Sequence, residues 1–167
     1  MKNNLTDDVL EVCNILNKHK VEFLIVGGTA VAFHGYYRPS VNSIGNITEK
    51  PDLDFWYNPN YENYFHLLNA LEELGQDVTA FKKEQSPNPH QSFFKFEFEN
   101  FTLDFLPRLK AELKFRNSYK MRETIALKGI EFPFLSINDL ITDKETNART
   151  KDQIDLEHLK IIRESSK

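Results

Sequence analysis

The sequence predicts an α/β (α+β) domain: a mixed, partly antiparallel sheet flanked by helices. Two observations carry this. Helix-period and strand-period segments alternate in the order α-β-α-β-α-β-β-β-α-β-β-α-α, which fits a helix-covered sheet and departs from a strict βαβ repeat. The chain has 167 residues, 14 of them phenylalanine, which suits a single domain with one well-filled core. Within it, a core over about 21–135 and C-terminal helices over 136–165 are expected.

Taken in order, TDDVLEVCNILNKHK (6–20) reads as a helix. Val9, Val12, Cys13 and Leu16 fall at i, i+3, i+4 and i+7 and make one apolar face. Thr6 can cap it, and Asp7 and Asp8 suit its positive end. Cys13 is thereby a core residue rather than a nucleophile, and a lone cysteine allows no internal disulfide and no multi-cysteine zinc site. VEFLIVGG (21–28) is a near-continuous apolar run closed by glycines: a buried strand and a tight turn. TAVAFHGYY (29–37) is a short helix, RPSVNSIGNITEKP (38–51) a loop, and DLDFWY (52–57) a second strand. In PNYENYFHLLNALEELG (59–75), Tyr64, Leu67, Leu68 and Leu71 share a helix face and Gly75 ends it.

DVTAF (77–81) reads as a short strand and SPNP (86–89) as a loop. SFFKFEFENFTLDFLP (92–107) is a hairpin, because Phe94, Phe96 and Phe98 alternate with Lys95, Glu97 and Glu99 before the return strand FTLDFL. PRLKAELKFRNSYK (107–120) reads as helical, and ETIALKGIEFPFL (123–135) as two short strands around Lys128-Gly129. SINDLITDKETNA (136–148) is a helix opening on Ser136 and Asp139, close to a capping box. TKDQIDLEHLKIIRE (150–164) is the last helix, with Thr150 and Gln153 as its capping box.

Charge and hydropathy narrow the function classes. A net charge of −4 argues against a dedicated nucleic-acid binder, which carries a basic excess. No apolar run approaches the roughly 18 residues of a membrane span, and MKNNLTDDVLEV lacks the apolar stretch of a signal peptide, so no membrane partner and a cytoplasmic location are expected.

The chemistry-bearing residues are three acids in apolar strands. Asp52 and Asp54 lie at i and i+2, so both face one side of their strand while Leu53 and Phe55 face the other. Two such carboxylates are either solvated acids on an exposed face or repelling ligands that a cation reconciles, and oxygen-only donors select a hard ion such as magnesium. Asp104, between Leu103 and Phe105, is a third. Placed beside the first strand, it gives three acids on one face, the arrangement that holds two metal ions for in-line phosphoryl transfer. Gly27 and Gly28 stand where a strand meets a helix N-terminus and permit close approach of a phosphate, with Thr29 adding a hydroxyl. This is not a P-loop, since no Gly-Lys-Ser/Thr follows.

A strand ending in Gly-Gly-Thr, then AVAFHGYYR, then DLDFW, then a helix ending at a glycine resembles the nucleotidyltransferase superfamily of DNA polymerase beta. The resemblance is nearest to small bacterial nucleotidyltransferases of the minimal, antitoxin-like and antibiotic-modifying kinds, whose C-terminal segments are similar to FLSINDLITDKETNARTKDQIDLEHL, with Leu140, Lys144, Arg149, Lys151, Asp152 and Asp155 on matching positions. It spans roughly residues 21–160. It implies a nucleotidyltransferase fold and a magnesium-dependent enzyme, with two ions, that moves a nucleoside monophosphate from an NTP such as ATP to an acceptor. Asp52, Asp54 and Asp104 would be the catalytic acids and hold the metals. Asp104 would help activate the acceptor hydroxyl. Gly27, Gly28, Thr29 and Arg38 would contact the triphosphate, and Lys144 would pair with a phosphate. The acceptor classes implied are an antibiotic-like small molecule such as an aminoglycoside or lincosamide, a partner toxin protein, or tRNA.

The sequence departs from the family pattern in one place: Arg38 precedes Asp52 by 14 positions. Residues 39–51 read as an insertion at the edge of the site, of the kind that forms lids and binding loops, where Thr48 and Lys50 take places nearer the arginine in the family. His34 is either a general base or, the blander reading, a packed helix histidine. Arg108, Lys110, Lys114, Arg116, Lys120 and Arg122 either border the site or form a solvated face, and Lys151, Asp152 and Asp155 read as a surface ion-pair group. The alternative to an enzyme is a catalytically inactive chain that keeps the fold and serves as an antitoxin-like or regulatory partner. A metal-dependent phosphohydrolase is disfavoured by the lack of a histidine-aspartate cluster.

Overall fold

The structure is a computed structural model that describes residues 3–35, 40–41, 47–48, 50–147 and 149–166. Helix α1 spans Asn3–Lys18, with Val9, Val12, Cys13 and Leu16 buried as their spacing requires. It starts before Thr6, so Thr6 is not its cap, and Asp7 and Asp8 lie beyond the first turn. Strand β1 is Phe23–Val26, buried throughout, and α2 is Gly27–Phe33. The two glycines are therefore the opening residues of the helix, not a turn before it. The segment expected to be loop carries a two-rung antiparallel ladder, β2 (Ser40–Val41) with β3 (Ile47–Thr48).

Strand β4 is Asp52–Tyr57 and α3 is Tyr61–Glu73. Asn60 caps α3 by accepting from the Asn63 N–H at 2.8 Å, and Gly75 ends it at φ +95°, where a residue with a side chain would be strained. DVTAF is not a strand. Asp77 accepts from the Thr79 N–H at 3.1 Å, a local turn that leads into the single-turn helix α4 (Thr79–Lys82). A 3-10 turn at Pro89–Gln91 leads to the predicted hairpin, β5 (Phe94–Glu97) and β6 (Thr102–Leu106). Only Phe115–Lys120 of the next segment is helical (α5), and residues 107–114 are irregular. Strands β7 (Glu123–Leu127) and β8 (Ile130–Phe134) pair across Lys128 and Gly129, both at positive φ as a two-residue primed turn demands. Helices α6 (Ile137–Asn147) and α7 (Thr150–Ser165) pack on each other. Ser136 caps α6 by accepting from the Asp139 N–H at 3.2 Å. The cap of α7 is Arg149, not Thr150, with Asp152 in place of Gln153 as the carboxylate that accepts from its backbone N–H at 3.2 Å.

The six-stranded sheet runs β5-β6-β4-β1-β8-β7. It is mixed: β4 and β6 are parallel, as are β1 and β8, while β1–β4, β5–β6 and β7–β8 are antiparallel. One face is a ladder of rings, with Phe55 5.6 Å from Phe23 and 5.3 Å from Phe105, and Tyr64 of α3 set 6.2 Å from Phe94. The opposite face changes character along β4. At Trp56 it is apolar, closed by Phe115 of α5 at 5.2 Å, and two residues earlier it is acidic. No helix among the described residues is long and apolar enough to cross a membrane.

Candidate active site

The acids meet because β4 lies between β1 and β6. The parallel register sets Asp54 beside Asp104 and Asp52 beside Thr102, while Val26, the last residue of β1, flanks Asp54 on the other side. Neighbouring strands are about 4.8 Å apart, so the carboxylates of Asp54 and Asp104 share one site. Burial, the charge of Asp104, a hydrogen bond to Asp104 and the charge of Asp52 push the Asp54 carboxyl up to about 7, against a weaker opposite pull from Lys144. Asp104 Oδ1 is buried and, among the described residues, has no hydrogen-bond partner.

An orphaned buried carboxylate oxygen beside a second, repelled carboxylate is the donor set that a hard cation satisfies. Asp52 lies one rung along the same face, and its Oδ1 accepts from Thr102 Oγ1. Among the described residues no group of three or more His, Cys, Asp or Glu side chains is arranged to hold a metal ion. The register thus puts three acids on one face, and two of them in contact.

Gly27 explains how Asp54 fits. It has φ +68°, and a Cβ there would stand 2.5 Å from Asp54 Oδ2. The missing side chain makes room for the carboxylate, a reason the sequence pattern did not reveal. Gly27 and Asp54 line a cleft of about 270 Å³ whose other walls carry Arg108, Lys110, Lys144, Asn147 and Arg149. Gly28 is half-buried and Thr29 only 6% exposed, and neither lines that cleft. Arg38 and most of the 39–51 segment lie outside the described residues.

Lys144 lines the cleft, but its ammonium is buried and already holds Asp152 Oδ1 and Asp155 Oδ2, each at 3.1 Å. Asp152 and Asp155 are themselves fully buried, not a surface group. Arg149 grips Asp152 with Nε at 2.6 Å and Nη2 at 3.2 Å. Burial alone would raise the Asp152 carboxyl, and the Arg149 hydrogen bond with Lys144 outweighs it and lowers it. Burial raises Asp143 despite the neighbouring Lys144. The motif at the C-terminus is therefore an internal charge network that fixes α6 against α7, with the exposed Arg149 facing the cleft.

Of the basic run, Arg108 and Lys110 reach the cleft. Arg108 donates to the His90 carbonyl at 3.0 Å and lies over the Phe93 ring at 5.3 Å, and Arg122 instead lies over Tyr119. His34 is a packed residue: it donates to the Leu135 carbonyl at 2.8 Å and meets Phe134 edge-on.

No family model matches the sequence, and no curated protein matches it at a significant level. Solved structures do match the fold. The lincosamide antibiotic adenylyltransferase LnuA, crystallised with lincomycin bound, aligns with a TM-score of 0.60 at 15% identity over 93% of this chain and 96% of that one. An antigenic nucleotidyltransferase-like protein from Paracoccidioides brasiliensis aligns with a TM-score of 0.53 at 13% identity over 96% of this chain and 75% of that one. The mixed sheet and its helices are thus the fold seen in this adenylyltransferase and this nucleotidyltransferase-like protein.

Proposed function

We propose that this chain is a nucleotidyltransferase that moves a nucleoside monophosphate from an NTP to an acceptor hydroxyl and releases pyrophosphate. The observation that carries the reading is the Asp54–Asp104 pair, with Asp54 lining a cleft that Arg108, Lys110 and Arg149 also line. The likeness in fold to an adenylyltransferase and a nucleotidyltransferase-like protein supports it. The acceptor oxygen attacks the α-phosphorus, the bond to the β-phosphate oxygen breaks, and the hydroxyl proton passes to a carboxylate, the role we assign to Asp104. Asp52, Asp54 and Asp104 would hold magnesium, which when bound offsets the phosphate charge. Arg108, Lys110 and Arg149 bind the triphosphate by charge-assisted hydrogen bonds, and Gly27 lets the nucleotide and Asp54 approach closely.

A small-molecule acceptor is the class favoured by the likeness to a lincomycin-bound enzyme. Isothermal calorimetry with each NTP, with and without magnesium, tests the first half. Wild type should bind an NTP only with magnesium, and Asp54→Asn should not. Absence of magnesium-dependent NTP binding by the wild type would sink the proposal. Labelled NTP incubated with a panel of hydroxylated antibiotics, with tRNA and with lysate proteins then shows which acceptor takes the label.

A further inference from the structure

We propose that Thr102 is a positioning residue for the cation site, acting through Asp52; the proposal rests on the reading of the β4 and β6 acids as that site. The parallel register sets Thr102 directly beside Asp52, and Thr102 Oγ1 donates to Asp52 Oδ1. The two partners are unequal. Thr102 is 7% exposed, whereas Asp52 is exposed. A packed, fixed hydroxyl thus holds a carboxylate that would otherwise sample several rotamers.

Two further features fix the hydroxyl. The Thr102 N–H donates to the Pro51 carbonyl at 3.0 Å, tying the start of β6 to the residue before Asp52. Threonine is branched at Cβ, so its χ1 has few alternatives. On its other side Thr102 faces Glu97 of β5, which lies 4.0 Å from Lys50. The hydroxyl thus stands between two acids and bonds the one on the strand of Asp54. With Oδ1 capped, Asp52 has Oδ2 left for a cation, and among the described residues no cationic side chain pairs with it. Partners that orient a ligating carboxylate in this way carry roughly 10–100-fold in metal affinity.

Binding of Mn²⁺ alone to the metal-free full chain, followed by electron paramagnetic resonance, tests this. Thr102→Val keeps the shape and the branched Cβ and loses the donor; Thr102→Ser keeps the donor. The expected result is a loss of about tenfold in Mn²⁺ affinity for Thr102→Val and recovery of most of it by Thr102→Ser. Because the threonine acts through Asp52, the loss should vanish in an Asp52→Asn background. Should the valine variant not fold, Thr102→Ala carries the same comparison. Wild-type affinity in Thr102→Val, or an equal loss in the Asp52→Asn background, overturns the proposal and leaves the cation site standing. A wild-type chain that takes up no Mn²⁺ overturns the cation site and this proposal together.

Discussion

Replacing Gly27 with alanine should damage stability and activity for separable reasons. Gly27 sits at φ +68°, a left-handed backbone that costs an L-residue with a Cβ roughly 1–2 kcal/mol. The added methyl would lie 2.5 Å from Asp54 Oδ2, where real Cβ contacts are essentially never under 3.0 Å, so the carboxylate must retreat by about 0.5 Å. It cannot do so freely, since Asp104 occupies the neighbouring rung. A misplacement of about 1 Å at a reacting centre costs on the order of 10²-fold, so half of that is worth roughly tenfold in turnover. Urea unfolding reads the first effect, and pyrophosphate release at saturating NTP reads the second. A Gly27→Ala protein as stable as wild type refutes the backbone argument. One that is destabilised but turns over normally refutes the claim that the glycine exists to admit Asp54.

Three further outcomes follow from the same site. The raised Asp54 carboxyl means that the folded, metal-free chain binds more protons than the unfolded chain between the ordinary value of 3.8 and about 7, so its stability falls as pH rises through that window. Urea melts at about pH 5 and about pH 8 should show this decline in wild type and lose most of it in Asp54→Asn; an unchanged slope in the variant contradicts the assignment. Lys144→Ala leaves Asp152 and Asp155 buried without their shared cation and should cost about 3–5 kcal/mol by chemical denaturation, far more than the exposed Lys18→Ala, whose ion-pair partner is Glu73. The double variant Arg108→Gln, Lys110→Gln should raise KM for the NTP several-fold while the melting temperature stays near wild type, because both side chains are exposed and the Arg108 contacts with His90 and Phe93 lie at the surface; an unchanged KM removes these two residues from the triphosphate site.

How much was legible in the sequence is clearest in particular residues. The alternation of Phe94, Phe96 and Phe98 with charged residues is a local, two-residue period, and it identified the hairpin without any knowledge of its neighbours. The face of Tyr64, Leu67, Leu68 and Leu71, all fully buried, was equally local. Asp52, Asp54 and Asp104 were conspicuous because a carboxylate in an apolar strand is costly wherever that strand ends up. Local patterns misled where a side chain captured the backbone, as Asp77 does at α4, or where burial alternates every second residue instead of following a helical period, as over 107–114.

Only the tertiary structure decided which acids touch. Fifty residues separate Asp54 from Asp104, and no short-range pattern says that β6 pairs with β4, in parallel, with those two in register. The same holds for Lys144. Its position in the C-terminal pattern marked it as important, and only the packing of α6 on α7 shows two buried carboxylates already holding its charge. Periodicity and the cost of burying charge act within a few residues and are written in the sequence. Register, close approach to Gly27 and the partners of a buried cation depend on contacts between distant segments, and these exist only once the sheet and its helices have assembled.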